Sequence, residues 1–92
     1  MKLNYIQANA KRDEYLHLVG SQVNTSEGVK EIKDIVVLPI ENLDFSQFVI
    51  PYKLAQNKED FLKPHMNKEM SLVLFFTDGT SYPFFQYIVD NQ

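Results

Sequence analysis

The chain has 92 residues, which is the size of one domain with a single modest hydrophobic core. Its 45% hydrophobic and 13% aromatic content is typical of a globular protein and excludes disordered, collagen-like and coiled-coil classes. The net charge is −3, with acidic and basic residues interspersed, so no basic stripe of the kind used by nucleic-acid-binding domains is present. We therefore expect one globular domain over residues 1–92.

Several classes of site and location are not indicated by the sequence. The absence of cysteine excludes disulfides and Cys-type zinc sites, and His17 and His65 are too few for a recognisable metal-ligand pattern. No apolar segment has the length of a signal peptide or a membrane span. We expect a cytoplasmic protein without metal, cofactor or membrane attachment.

The N-terminal quarter has two interpretations. Residues Lys2–Gln7 alternate in polarity and predict a first strand, and Glu14–Val23 predicts a second strand in which Gly20 marks a bulge. Alternatively, Asn9–Val19 forms a helix that Gly20 ends in a left-handed conformation. The strand interpretation is preferred here.

The central region combines a turn and a buried strand. Asn24–Gly28 has turn composition, or could cap a short helix, and the chain changes direction in either case. Ile35–Ile40 is apolar and β-branched, which predicts a third strand, with Pro39 at its end or at a sheet edge.

Short helices are predicted between this strand and the C-terminal region. Asp44–Gln47 resembles a capping box, but Pro51 would limit the helix to a turn or two, and Phe48–Leu54 could instead form a further strand. Asn57 is a credible cap for a helix that Pro64 ends or kinks.

A C-terminal β-hairpin over residues 70–89 is the clearest local signal. Asp78-Gly79 between two apolar runs predicts a two-residue type I′ turn. That turn pairs Phe75 with Tyr82 and fixes which side chains share a face. The whole chain is therefore predicted to be an α+β domain with an antiparallel sheet of about five strands and one or two short helices.

Both faces of the hairpin are apolar. Leu72–Phe76 lacks the polar alternation of a one-sided strand, so a cover is expected on each face. Pro83 lacks an N–H toward a third strand, which places the second hairpin strand at an edge. No Lys, Arg or Glu protects that edge between Thr80 and Val89.

This edge motivates our first functional hypothesis, a small protein-interaction module of the regulator or inhibitor type. Its partner would be another protein or a second copy of the chain in a homodimer. The same aromatic residues could equally form a tightly packed core, and the two interpretations are not exclusive. The predicted partner-binding residues are Tyr82, Phe84, Phe85 and Tyr87.

The alternative hypothesis is single-stranded nucleic-acid binding. Three strands, a helix and a terminal hairpin is also the element order of an oligonucleotide-binding barrel, whose sheet aromatics stack on bases. The net charge disfavours this function. The residues that would serve it are Lys2, Tyr5, Lys11, Arg12, Tyr15 and Lys53.

No catalytic arrangement is visible. The chain has no thiol, no Gly-x-Ser-x-Gly motif and no glycine-rich phosphate loop. We therefore do not expect an enzyme, although a small-molecule pocket would leave no mark in the sequence.

Overall fold

A computed structural model describes residues 3–42 and 44–84. Within them the helices are α1 (Tyr5–Tyr15), α2 (Val49–Leu54) and α3 (Lys58–Leu62), and the strands are β1 (Gln22–Thr25), β2 (Gly28–Pro39), β3 (Met70–Phe76) and β4 (Ser81–Pro83). Short 3₁₀-helices occupy Leu16–Leu18, Ser46–Phe48 and Lys63–His65. The strands form one antiparallel sheet in the order β1-β2-β3-β4, which confirms the predicted α+β class.

The N-terminal segment is a helix, so the preferred strands over Lys2–Gln7 and Glu14–Val23 are wrong. A reciprocal capping box begins α1: the Gln7 backbone N–H donates to Asn4 Oδ1 at 2.8 Å, and the Asn4 N–H donates to Gln7 Oε1 at 3.1 Å. Gly20 has φ +93°, as the helical alternative required, and β1 follows at Gln22. Of the first predicted strand, Leu3 alone forms a β-bridge, with Met70, and Lys2 lies outside the described residues.

The central predictions are confirmed in part. The turn after Asn24 joins β1 to β2, and Ile35–Pro39 forms the apolar second half of β2. The possible strand over Phe48–Leu54 is wrong, because this segment forms α2. Pro51 is tolerated in the first turn of α2, where backbone N–H groups have no partner within the helix.

The cap at Asn57 is confirmed. Its side-chain oxygen accepts a hydrogen bond from the Asp60 N–H at 3.0 Å, and α3 ends at Leu62, two residues before Pro64. The proline therefore ends the α-helix, and the chain continues as a 3₁₀-helix.

The predicted hairpin is present with a short second strand that ends at Pro83, and residues 85–89 of the prediction lie outside the described residues. Its predicted register is wrong by one residue. Phe75 pairs with Ser81 and Leu74 with Tyr82. The Phe76 N–H donates to the Thr80 carbonyl at 2.9 Å, so the loop has three residues and ends on Gly79 at φ +90°. Tyr82 and Phe84 consequently pack on the face that carries Leu72 and Leu74, whereas the two-residue turn would have placed them with Val73 and Phe75.

Both faces of β2 and β3 are covered, as the apolar hairpin predicted. Beneath α1 lie Ile35, Val37, Leu72 and Leu74, together with Ala8 of the helix itself. On the opposite face, Val36, Leu38, Val73 and Phe75 pack against residues of the α2 and α3 region, namely Phe45, Phe48, Val49, Tyr52 and Phe61. The described chain therefore has three layers, and its sheet is an open meander with helices on both sides.

Candidate functional site

The predicted partner-binding residues lie at the β4 edge. Tyr82 is half-buried and packs against the core beneath α1, with its ring centroid 6.5 Å from that of Phe76. Phe84 is only 5% exposed, and its ring lies 4.5 Å from that of Tyr15. Phe85 and Tyr87 lie outside the described residues. Among the predicted partner-binding residues that the structure describes, Tyr82 is therefore the one that presents part of its surface at this edge.

The residues predicted for nucleic-acid binding are brought together only in part. Four of them, Tyr5, Lys11, Arg12 and Tyr15, lie on α1, whereas Lys53 lies on α2 across the sheet. Tyr5 and Tyr15 pack against the core. Lys11 pairs with Glu14 at 3.6 Å, so its charge is locally balanced.

A cleft with a volume of about 370 Å³ lies beside α2, where the middle of β2 meets the end of β3 and the loop that follows it. Its main charged and aromatic lining residues are Lys33, Asp34, Tyr52, Lys53, Lys58 and Phe75. Of these, Lys53 is the one predicted from the sequence as a binding residue, for nucleic-acid phosphates.

A β-bulge in β2 forms one wall of this cleft. Ile32 pairs with Phe76 and Asp34 pairs with Phe75, so Lys33 is an extra residue without a partner in the ladder. The bulge interrupts the alternation of side chains, and Lys33 and Asp34 both line the cleft while Ile32 and Ile35 both pack beneath α1. Without the extra residue, one of the two charged side chains would point toward the core.

Arg12 balances the only carboxylate among the described cleft residues. Its guanidinium Nη2 lies 3.6 Å from Asp34 Oδ1, and its Nε donates to the Ile35 carbonyl. Asp34 Oδ1 also accepts a hydrogen bond from the Ile35 N–H at 2.8 Å. Both backbone groups of Ile35 are thus satisfied at a point beyond the end of β1, and the Asp34 charge is partly neutralised.

Two cleft lysines are held by carbonyl oxygens and aromatic rings. Lys53 Nζ donates to the Gly79 carbonyl at 2.8 Å and lies 5.2 Å from the Phe75 ring centroid. Lys58 Nζ donates to the carbonyls of Tyr52 at 3.0 Å and Ala55 at 3.2 Å, and lies 4.9 Å from the Tyr52 ring. Burial raises the pKa of Tyr52, and the negative charge of Asp34 adds to this shift, so its hydroxyl stays protonated at neutral pH.

A polar network ties the two hairpin turns together next to the cleft. Lys30 Nζ donates to Thr80 Oγ1 at 2.9 Å and lies 3.1 Å from Glu27 and 3.2 Å from Asp78. Burial by itself would lower the pKa of Lys30, but hydrogen bonds with Glu27 and Asp78 raise it overall. Hydrogen bonds from the Thr80 hydroxyl and backbone N–H lower the pKa of Asp78 to about 2, with a smaller contribution from Lys30.

The ionisation of Asp78 should make the free energy of unfolding depend on pH in the acidic range. Its pKa is below the ordinary 3.8, so its stabilising contribution is complete above about pH 4 and is lost as the pH falls toward about 2. Chemical denaturation of the wild type should therefore show a declining free energy of unfolding across this window, and Asp78→Asn should reduce that slope. The same substitution at Asp13, whose side chain is 73% exposed, is the control. Equal slopes for Asp78→Asn and Asp13→Asn would contradict this assignment.

The described residues contain no group of three or more His, Asp or Glu side chains that could hold a metal ion. His65 packs between Phe48 at 5.2 Å and Phe61 at 5.7 Å, whereas His17 is an exposed residue of the 3₁₀-helix that follows α1. None of the helices in residues 3–42 and 44–84 combines the length and apolar character needed to cross a membrane.

The fold and the cleft define a small α+β protein of three layers with a lysine-rich depression on one face. Comparison with known proteins gave no match to a family model, to a curated protein or to a solved structure.

Proposed function

We propose that this protein is a small non-catalytic protein-interaction module whose partner contacts the edge of β4. The observation that carries the proposal is the position of β4: within the described residues it pairs only with β3, and Ser81, Tyr82 and Pro83 are each partly exposed. Terminal strands of this kind can accept a strand from another chain.

The backbone of β4 limits how a partner strand would bind. Because Phe76 and Thr80 are hydrogen-bonded across the loop, alternation directs the N–H and C=O of Ser81 away from β3. Pro83 shares that orientation but offers only its carbonyl. Each net backbone hydrogen bond contributes about 0.5–1.5 kcal/mol, so such a short edge gives weak pairing unless side chains add apolar contact.

Tyr82 supplies an apolar contact of that kind. No charged side chain occurs in β4, so no like-charge repulsion opposes a partner at this edge. The protein-interaction function is preferred over nucleic-acid binding because, of the residues predicted for the latter, Lys53 lies across the sheet from those on α1, and the rings of Tyr5 and Tyr15 pack against the core.

The test is a comparison of Tyr82→Glu with Gln22→Glu. The two variants add the same charge to opposite edges of the sheet, since Gln22 lies in β1 and is exposed. Light scattering after size-exclusion chromatography over a concentration series detects self-association, and capture from a host lysate detects a different protein partner.

We expect Tyr82→Glu to abolish the association that Gln22→Glu retains. Circular dichroism must first show that each variant is folded, and Tyr82→Gln, which adds no charge, replaces Tyr82→Glu if the latter is not. A folded Tyr82 variant that associates like the wild type, or a wild type that is monomeric and captures nothing, would refute the proposal.

A further inference from the structure

The described lysines differ in whether a carboxylate lies close to the ammonium group. Among the described lysines, those outside the cleft each have a carboxylate oxygen within 4 Å: Lys11 pairs with Glu14, Lys30 with Glu27 and Asp78, Lys63 with Asp60, and Lys68 with Glu41. The lysines that have no such carboxylate in the described residues are Lys33, Lys53 and Lys58, which all line the cleft.

This segregation is notable in a chain whose net charge is −3. Acidic side chains outnumber basic ones, yet Asp34 is the only carboxylate among the described residues that line the cleft, and Arg12 lies 3.6 Å from it. The cleft is therefore a local concentration of positive charge on an acidic protein. A concave cationic surface attracts anions more strongly than isolated surface lysines do.

From this arrangement we propose that the cleft is a binding site for a small phosphate monoester. An ammonium group carries three donors. Lys53 uses one donor on the Gly79 carbonyl and Lys58 uses two on the carbonyls of Tyr52 and Ala55. Lys33 is exposed and uses none within the described residues. Donors thus remain on all three lysines, while carbonyl contacts hold two of the ammonium groups in place.

The chemistry favours a dianion over a monoanion or a neutral aromatic ligand. A phosphate monoester carries about −1.5 to −2 charges at neutral pH and offers several acceptor oxygens, which suits several lysines better than one carboxylate does. Stacking of a ligand ring is not favoured, because Lys53 and Lys58 lie over the rings of Phe75 and Tyr52.

The volume of the cleft limits the size of the group that can be attached to the phosphate. Its volume of about 370 Å³ lies at the lower end of the range of roughly 300–1,000 Å³ found for small-molecule sites. The space is sufficient for a phosphate attached to a sugar-sized group. This inference concerns a different face from the β4 edge and does not depend on the proposed interaction function.

The experiment is an NMR titration of backbone amides at low ionic strength. The probes are inorganic phosphate and ribose 5-phosphate. Ribose, which lacks the phosphate, is the uncharged control, and a phosphoserine peptide presents a phosphate monoester on a polypeptide. We expect saturable shifts around Lys33, Lys53 and Lys58 with both phosphates and none with ribose. Affinity should fall as the pH is lowered through about 6, where the phosphate loses its second charge.

Lys33→Gln is the decisive variant, because Lys33 makes no side-chain hydrogen bond or ion pair in the described residues and its loss should not disturb folding. We expect it to weaken ribose 5-phosphate binding roughly threefold to tenfold. Lys11→Gln makes the same charge change on α1 and should leave the affinity unchanged.

Three results would overturn the proposal. The first is that neither inorganic phosphate nor ribose 5-phosphate binds saturably. The second is that Lys33→Gln and Lys11→Gln lose affinity for ribose 5-phosphate equally. The third is binding of the phosphoserine peptide alone, which would assign the cleft to a phosphorylated protein in place of a small molecule.

Discussion

Replacing Leu74 by alanine is expected to lower the free energy of unfolding by about 2–5 kcal/mol. Leu74 is fully buried in β3, pairs with Ile35 on one side and Tyr82 on the other, and packs beneath α1. Truncation would remove apolar contacts from β3, the strand that pairs with both β2 and β4. It would also leave a cavity that the closely packed surroundings have little freedom to fill. Urea unfolding followed by circular dichroism measures the change.

Leu54→Ala provides a matched control, because it is the same substitution at a side chain that is 78% exposed. It should change the free energy of unfolding by no more than about 0.5 kcal/mol. Because domains are stabilised by only about 5–15 kcal/mol in total, the Leu74 variant should lose a large part of its stability. A Leu74 variant as stable as the Leu54 variant would show that β3 is not the centre of the core.

Phe84→Ala is expected to destabilise the protein by about 3–5 kcal/mol. The Phe84 side chain is 5% exposed, belongs to the core beneath α1 and contacts the Tyr15 ring at 4.5 Å between centroids. The loss should therefore appear in thermal and urea unfolding of the isolated chain, without any partner present.

This prediction separates the two roles that the sequence allows for Phe84. Ile6→Ala, at an α1 position that is 78% exposed, is the control and should have little effect on unfolding. If Phe84→Ala left stability unchanged and abolished an association instead, Phe84 would be an interface residue and its burial in the core would be refuted.

Some of the fold could be predicted because local chemistry determines it. The Asn57 cap, the proline that ends α3 and the turn before β2 each depend on a few adjacent residues. The cover on both faces of the hairpin followed from the uninterrupted apolar run in β3, which has no polar face to present to water.

The N-terminal helix was missed although a local signal existed. Asn4 and Gln7 have the spacing of a capping box, but the alternation of Leu3 and Tyr5 is equally compatible with a strand. Only one residue of α1, Ala8, is fully buried, so a helical hydrophobic stripe is hardly visible in the sequence.

Neither the hairpin register nor the cleft could be predicted from the sequence, and the reasons differ. Asp78-Gly79 fits both a two-residue and a three-residue loop, and the choice between them moves Tyr82 and Phe84 to the other face. The positive charge of the cleft depends on which lysines lie close to a carboxylate in the folded structure. Lys33, Lys53 and Lys58 resemble the paired lysines in sequence, and only tertiary structure distinguishes them.

The contacts of α1 have a consequence for the order of assembly. An isolated helix of 11 residues is marginal in water, so α1 depends on docking for its stability. Phe84 contacts Tyr15 of the helix, and Met70 forms a β-bridge with Leu3 just before it; both residues are synthesised long after the helix. During synthesis, α1 can therefore complete its contacts with the core only after Phe84 has emerged from the ribosome.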